Sequence, residues 1–313
     1  MRPRSSRSPS GRVAVAAAVF AAATAATGAA RAQACCAGTG ALTPGRLAMH
    51  ERGLVGLQLK GGDVFGSYDS EGTFRRSPPG TSELDFEEAL FAATRFFGKG
   101  QAVAFAPLVQ TRRATPTAGP ELGGGLGDVN AAARWDFTLA GEHRILPGIG
   151  ALAGVTLPTG KPPEASTRPL ATNATGVGAL QGNLGVAVEQ TFGHWLVNAT
   201  AVVAMRAPRS ARGVRTTLGP QLTLLAGTAY SFDNDAALGL LASFTVEGPA
   251  TVEGQTAEGS GRRLLRVTGA GTWPLDDKWR LQGSPFVDVP IPSLGTNQPT
   301  QLGLTLGVIR SWS

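Results

Sequence analysis

From Leu54 to the end of the chain, apolar residues recur at every second position. The clearest run covers residues 129–138, where Trp135 and Phe137 alternate with Arg134 and Asp136. A β-strand places successive side chains on opposite faces, whereas a helix would scatter these residues around its axis. The pattern therefore predicts strands that have one apolar and one polar face.

We predict about twelve such strands, most of them near the length of nine to eleven residues that crosses a bilayer. Their connections alternate strictly between short turns and long segments rich in Pro, Gly and Thr. Antiparallel up-and-down barrels of the outer membrane have this order, because all turns of one kind lie at one end. The predicted strands are residues 54–68, 84–96, 102–112, 128–138, 146–157, 178–190, 195–206, 214–231, 236–247, 262–273, 279–288 and 300–312. The predicted long loops are residues 69–83, 113–127, 158–177, 207–213, 248–261 and 289–299.

Aromatic residues support a transmembrane barrel independently of the alternation. Membrane barrels concentrate aromatic side chains at the depth of the lipid headgroups, whereas a soluble sandwich has no reason to sort its indoles to one end. All five tryptophans fall near predicted short turns, namely Trp135, Trp195, Trp273, Trp279 and Trp312, and Phe97, Phe192 and Phe232 lie beside such turns as well.

The last predicted strand resembles the terminal strand that outer-membrane proteins present to the barrel-assembly machinery. Two residues depart from that pattern, Arg310 on the apolar face and Ser313 after the final aromatic. Near the headgroups an arginine on the lipid side costs only about 0–1 kcal/mol. The apolar face consists of Leu302, Leu304, Leu306, Val308 and Trp312.

The opposite face of the strands predicts the lining of the lumen. Twelve strands lie between a packed eight-stranded barrel and a porin of about sixteen, so we expect a narrow or plugged passage. Charged and polar residues there either determine selectivity or fill the interior with ion pairs. The candidates are Asn130, Arg134, Asp136, Gln181, Asn183, Glu189, Asn198, Arg206, Arg266, Arg280, Gln282 and Asp288.

The amino terminus predicts export. Residues 1–34 combine a basic start, an uncharged Ala/Val run and small residues at cleavage spacing, as a secretory signal peptide does. Residues 35–53 would then be a periplasmic or plug segment, and residues 54–313 the barrel. Cys35 and Cys36 are the only cysteines, and being adjacent they favour an unpaired or partner-directed role, with lipidation of Cys35 as the alternative.

Composition excludes two classes of protein. Charged residues make up 16% of the chain while hydrophobic residues reach 42%, which a disordered chain would not combine. The net charge of +6 arises mainly from five arginines before residue 34, and without them 23 bases face 22 acids. A nucleic-acid partner is therefore not expected.

No catalytic, cofactor or metal site is predicted. The segment Gly154 to Lys161 has the wrong glycine spacing for a phosphate-binding loop, and Pro162 replaces its Ser or Thr. The only histidines are His50, His143 and His194, and the topology puts none of them at the outer face, where a phospholipase would need a base. An enzyme is thus the least expected class.

Three landmarks resemble a known family. They are Gly125–Val129 leading to Arg134 and Trp135, Leu157-Pro-Thr-Gly-Lys161 before a long loop, and Thr175–Gly178 opening the next strand. They are similar to those of the outer-membrane barrels named for the MetA pathway of phenol degradation and of related transporter-like proteins. The resemblance covers mainly residues 123–206 and the last strand. It implies passage of small, often apolar compounds, with no cofactor.

We therefore expect an outer-membrane barrel, in contact with lipid, that passively admits a small solute, with hydrophobic or aromatic compounds among the candidates. A structural or adhesive barrel that transports nothing is the first alternative. A secreted soluble β protein is the second.

Overall fold

The computed structural model describes residues 45–143 and 145–313. The predicted signal peptide and the two cysteines lie outside these residues. The strands, in chain order, are β1 (Gly53–Tyr68), β2 (Phe74–Arg76), β3 (Ser82–Phe96), β4 (Gly100–Thr115), β5 (Ala118–Leu126), β6 (Val129–Thr138), β7 (Gly148–Leu157), β8 (Gln181–Phe192), β9 (Trp195–Arg206), β10 (Arg209–Ala211), β11 (Val214–Thr217), β12 (Gln221–Ser231), β13 (Ala237–Glu247), β14 (Thr251–Val252), β15 (Gln255–Thr256), β16 (Arg262–Pro274), β17 (Trp279–Asp288) and β18 (Pro299–Trp312). A single turn of 3-10 helix covers Pro163–Ala165.

Twelve of these strands form one closed antiparallel barrel, in the order β1-β3-β4-β6-β7-β8-β9-β12-β13-β16-β17-β18. The last strand closes the cylinder on the first, from the pair Gly53 and Trp312 to the pair Ser67 and Pro299. The predicted fold class and strand number are confirmed. Because closure pairs every backbone edge, this wall leaves no free strand to aggregate.

The outward face of the wall is apolar and exposed. Leu184, Leu90 and Leu238 are each more than 60% exposed, and leucines at equivalent outward positions follow on the other strands. A water-soluble monomer rarely exposes apolar surface so continuously. Among the described residues no helix has the length and apolar character needed to cross a membrane.

The two ends of the barrel differ as predicted. Short turns join the strands at one end, called here the turn side, and long loops join them at the other, the loop side. All five tryptophans lie in the turn-side halves of their strands and are 38–58% exposed. The Arg310 guanidinium on the outward face lies 5.7 Å from the ring centroid of Trp279, so a cation–π contact accommodates this charge.

Several sequence predictions of strands and loops were wrong in detail. The predicted loops 69–83, 207–213 and 248–261 contain the short strands β2, β10, β14 and β15. Residues 214–231 are not one strand, since β11 joins a small loop-side sheet with β10, β14 and β15 and only β12 enters the wall. The break falls at Gly219 and Pro220, where proline has no amide to donate and a Cβ on Gly219 would lie 2.3 Å from the Gly248 oxygen. Residues 113–127 were predicted as a loop but extend β4 and contain β5. The prediction missed β5 because its consecutive glycines hide the alternation of apolar and polar residues.

Candidate functional site in the barrel lumen

The register places all twelve predicted lumenal residues on the inward face. Asp288, Glu189 and Asn198 are at least 94% buried, and Arg134, Asp136 and Gln282 are nearly as inaccessible. Eight of the twelve gather into three hydrogen-bonded groups, and Arg280 pairs with Glu51, which precedes β1. Asn130, Asn198 and Gln282 also lie on the inward face. The role of these residues in selectivity stays a prediction.

The first group is the Arg134 cluster on β6 and β8. The Arg134 side chain donates to Asp136 at 2.6 Å and to Glu189 at 3.0 Å. Asn198 is the cross-strand neighbour of Glu189. One guanidinium therefore holds two buried carboxylates, which would be costly to bury without a cation.

The second group is centred on Arg206 near the loop side. Its guanidinium donates to Gln181 at 2.7 Å, bonds Gln221 and pairs with Glu247 at 2.8 Å. Gln181 in turn donates to Asn183 at 2.8 Å. This network joins four neighbouring strands, so it contributes to the rigidity of the wall.

The third group is a bidentate ion pair between β16 and β17. Arg266 donates to both carboxylate oxygens of Asp288, at 2.7 and 3.0 Å. Asp288 also accepts the Gln301 amide at 2.8 Å, and the Gln301 side chain donates to Asp85 at 2.6 Å. Charge-assisted pairs of this geometry are the strongest polar contacts in proteins.

Residues 45–52, called here the N-terminal segment, enter the turn-side end of the lumen. Arg46 pairs with Glu189 of the Arg134 cluster. Glu51 pairs with Arg280 on β17 at 2.6 Å. In the strand order β17 is five steps from β8 in one direction and five steps from β6 in the other, so the segment connects nearly opposite walls.

Backbone and apolar contacts complete the attachment of the segment. Arg95 donates to the carbonyl oxygens of Ala48 at 2.6 Å and Glu51 at 3.0 Å, and the Leu47 amide donates to Gln101 at 3.2 Å. The Leu47 side chain is buried in an apolar cluster, the Leu47 cluster, formed with Leu54, Phe91, Ala93 and Ile309, and Val103 and Phe105 pack against it. The segment thus fills part of the lumen with both polar and apolar contacts.

The Glu51 carboxyl is stabilised as an anion. Burial raises its pKa, but the Arg280 guanidinium, the Ser311 hydroxyl and the Ala48 amide together lower it more, so the net pKa lies below 4.5. The carboxyl borders a turn-side cavity of about 640 Å³ that Trp279 and Lys278 also line. Protons therefore reach it from that side.

Sequence reasoning missed several of these partners. Glu247 stands at an inward position of a predicted strand and was available from the alternation. The ion pairs of Arg46 and Glu51 could not be predicted from the sequence, because both residues precede the first strand and their partners lie more than 140 residues away. The histidines are peripheral, with His143 in the turn after β6, His194 in the turn before β9 and His50 before β1.

The three family landmarks meet at one carboxylate on the loop side. Asp128 accepts the amides of Gly160 at 2.8 Å, Val177 at 2.5 Å and Gly178 at 3.4 Å. A Cβ on Gly176 would lie 2.5 Å from this carboxylate, so the loop backbone approaches it only as glycine. Asp128 therefore attaches both ends of loop 158–180 to the start of β6.

We expect Asp128→Ala to detach loop 158–180 from the barrel. Each charged hydrogen bond lost is worth about 1.5–3 kcal/mol. Proteinase K should then cut the loop much faster while the barrel stays folded. Asp276 accepts two amides in a turn-side connection, at 2.7 and 2.8 Å, so Asp276→Ala is a matched control that should leave this loop protected. Equal cleavage of both variants would contradict the assignment.

Comparisons with known proteins give a fold but no family. No family model matches the sequence, and no curated protein does. The crystal structure of the COG4313 outer membrane channel from Pseudomonas putida F1 is similar, with a TM-score of 0.70, 15% identity, and coverage of 84% of this chain and 96% of that one. This chain has the fold of an outer-membrane channel. At 15% identity the likeness extends to the fold alone, so membership of the MetA-pathway family stays a prediction.

Other solved structures resemble the outer-membrane barrel more distantly. The transport unit of the autotransporter AIDA-I from Escherichia coli has a TM-score of 0.45 and 8% identity, over 82% of this chain and 90% of that one. The toluene transporter TodX of P. putida has a TM-score of 0.39 and 11% identity, over 83% of this chain and 89% of that one. Likenesses at these scores carry no argument about substrate.

Proposed function

We propose that this chain is a passive outer-membrane transporter for small molecules such as hydrophobic or aromatic compounds. The observation that carries the proposal is the closed twelve-stranded wall, apolar outside and polar inside, in the fold of a solved outer-membrane channel. Lipid would contact the leucine-rich outer face. The signal peptide would direct export, and β18 would present the chain to the barrel-assembly machinery.

In this proposal the N-terminal segment is a plug for the turn-side end of the lumen. Its contacts with nearly opposite walls support this role more than that of a free periplasmic tail. The ion-paired members of the predicted lumenal set would mainly hold the wall and the plug in place. The lumen would then pass only small solutes until the plug moves.

Two measurements test the proposal in sequence. The processed protein should run at a different position in unheated and boiled detergent gels, because a closed barrel resists detergent. Liposomes that contain it should take up small uncharged or aromatic solutes faster than empty liposomes. A folded barrel without uptake would support the structural or adhesive alternative, and a protein that stays monodisperse without detergent would contradict membrane insertion.

A further inference from the structure

Most charged side chains inside the barrel are neutralised by direct contact. Arg113 pairs with Glu83 at 2.6 Å, and the arginines at positions 134, 206, 266 and 280 each contact a carboxylate. A close pair of opposite charges has a field that falls off quickly with distance, especially under salt screening. These pairs therefore contribute little to the average charge that a passing ion meets.

The middle of the lumen contains an exception. Lys60 on β1 and Glu87 on β3 are directly opposed on the inward face, and both are partly exposed. Within residues 45–143 and 145–313, no ion pair involves either of them, nor does one involve the nearby Asp85. Asp85 instead accepts hydrogen bonds from two neutral donors, the Thr111 hydroxyl at 2.9 Å and the Gln301 side-chain amide at 2.6 Å.

An aromatic contact accounts for the missing ion pair. The Lys60 ammonium lies 5.7 Å from the ring centroid of Phe286, and the Arg266 guanidinium lies 4.5 Å from the same centroid. The Phe286 ring can occupy this position because residue 303 is a glycine. A Cβ there would stand 2.4 Å from the ring. Lys60 is thus drawn toward Phe286, and Glu87 keeps an uncompensated negative charge.

We propose that Lys60, Asp85 and Glu87 determine the charge selectivity of the lumen, and that their net charge of −1 favours small cations over anions. Arg95 at the turn side bonds to backbone carbonyls, and Arg262 is exposed at the loop-side rim, so neither compensates the midsection. Unpaired charges along a narrow lumen are the usual determinants of ion preference. This inference rests on the proposed transport function.

The reversal potential in a potassium chloride gradient across a planar bilayer tests the inference. Wild-type protein should favour potassium over chloride. Glu87→Gln should lower the potassium-to-chloride permeability ratio about sevenfold, and Lys60→Gln should raise it by a similar factor. This is the change expected for one unit charge about 7 Å away in water, which acts on the cation and on the anion with opposite sign. Glu88→Gln is the matched control, since Glu88 is one residue along and exposed on the outward face.

The outcomes separate the inference from the proposed function. Heat-modifiable Glu87→Gln and Lys60→Gln barrels that conduct with the wild-type ratio would overturn the inference and leave transport intact. A ratio that changes equally in Glu88→Gln would overturn it too. If neither the wild-type protein nor an Arg46→Gln/Glu51→Gln background conducts ions, the inference fails. The transport function fails with it only if liposomes that contain the protein also show no uptake of uncharged or aromatic solutes.

Discussion

The full-length double variant Arg46→Gln/Glu51→Gln should conduct ions with a clearly higher open probability than the wild-type barrel. Each substitution removes one close charge-assisted contact between the N-terminal segment and the wall, and Arg46→Gln also removes a longer pair with Asp136 at 4.0 Å. At about 1.5 kcal/mol for each contact, the loss of about 3 kcal/mol raises the ratio of detached to bound segment about a hundredfold. Single-channel recording in planar bilayers measures the effect directly.

Arg52→Gln is the matched control for this prediction. Arg52 belongs to the same segment and is exposed, and it bonds the wall only through its backbone. Its amide donates to Trp312 at 2.9 Å, and its carbonyl oxygen accepts the Arg95 amide at 2.8 Å. The open probability of the Arg52→Gln barrel should stay at the wild-type value. If the Arg46→Gln/Glu51→Gln and Arg52→Gln barrels carry the same current, the N-terminal segment does not obstruct the lumen.

Acidification should add to the effect of the single variant Arg46→Gln, in which the Glu51–Arg280 pair is the one ion pair that still joins the described N-terminal segment to the wall. Because the pKa of Glu51 is lowered by its partners in the folded protein, its contribution to binding the segment is present above its ordinary value of 4.5. The contribution is lost as the pH falls through the lowered value. Open probability should therefore rise only below pH 4.5, and a rise between pH 5 and 7 would contradict the assignment to Glu51.

Replacement of Arg266 by Met should destabilise the folded barrel by about 3–5 kcal/mol, since it leaves a buried carboxylate without its cation. Asp288 is 0% exposed and receives both hydrogen bonds of the Arg266 fork. The loss is measurable as a lower midpoint in urea unfolding, followed by the change in gel mobility of the barrel.

Two further variants show whether the cost comes from the unpaired charge. In Arg266→Met/Asp288→Asn the carboxylate is gone, while an amide oxygen remains to accept the Gln301 amide, so much of the stability should return. Arg262→Met removes an exposed arginine from the same strand and should change the midpoint little. An Arg266→Met barrel as stable as the Arg262→Met barrel would refute the buried-charge explanation.

The alternation of apolar and polar residues was sufficient to predict the architecture. In β6 and β9 every outward Trp or Val and every inward Arg or Asn follows from the period of two, which is a local property of an extended backbone. Turn residues such as Gly193 and His194 marked where the chain reverses. β5 was missed because consecutive glycines carry no alternation, and the prediction of one strand over 214–231 failed where Pro220 interrupts it.

The sequence by itself determined that this is a twelve-stranded antiparallel barrel, which face of each strand is apolar and which end holds the tryptophans. It determined these because each depends on residues a few positions apart. Only the tertiary structure decided that Glu51 meets Arg280, that Asp128 attaches both ends of loop 158–180, and that Lys60 turns to Phe286 and leaves Glu87 unpaired. Such pairings depend on the stagger between strands and on the space that individual glycines leave, which bring distant parts of the chain within a few ångströms.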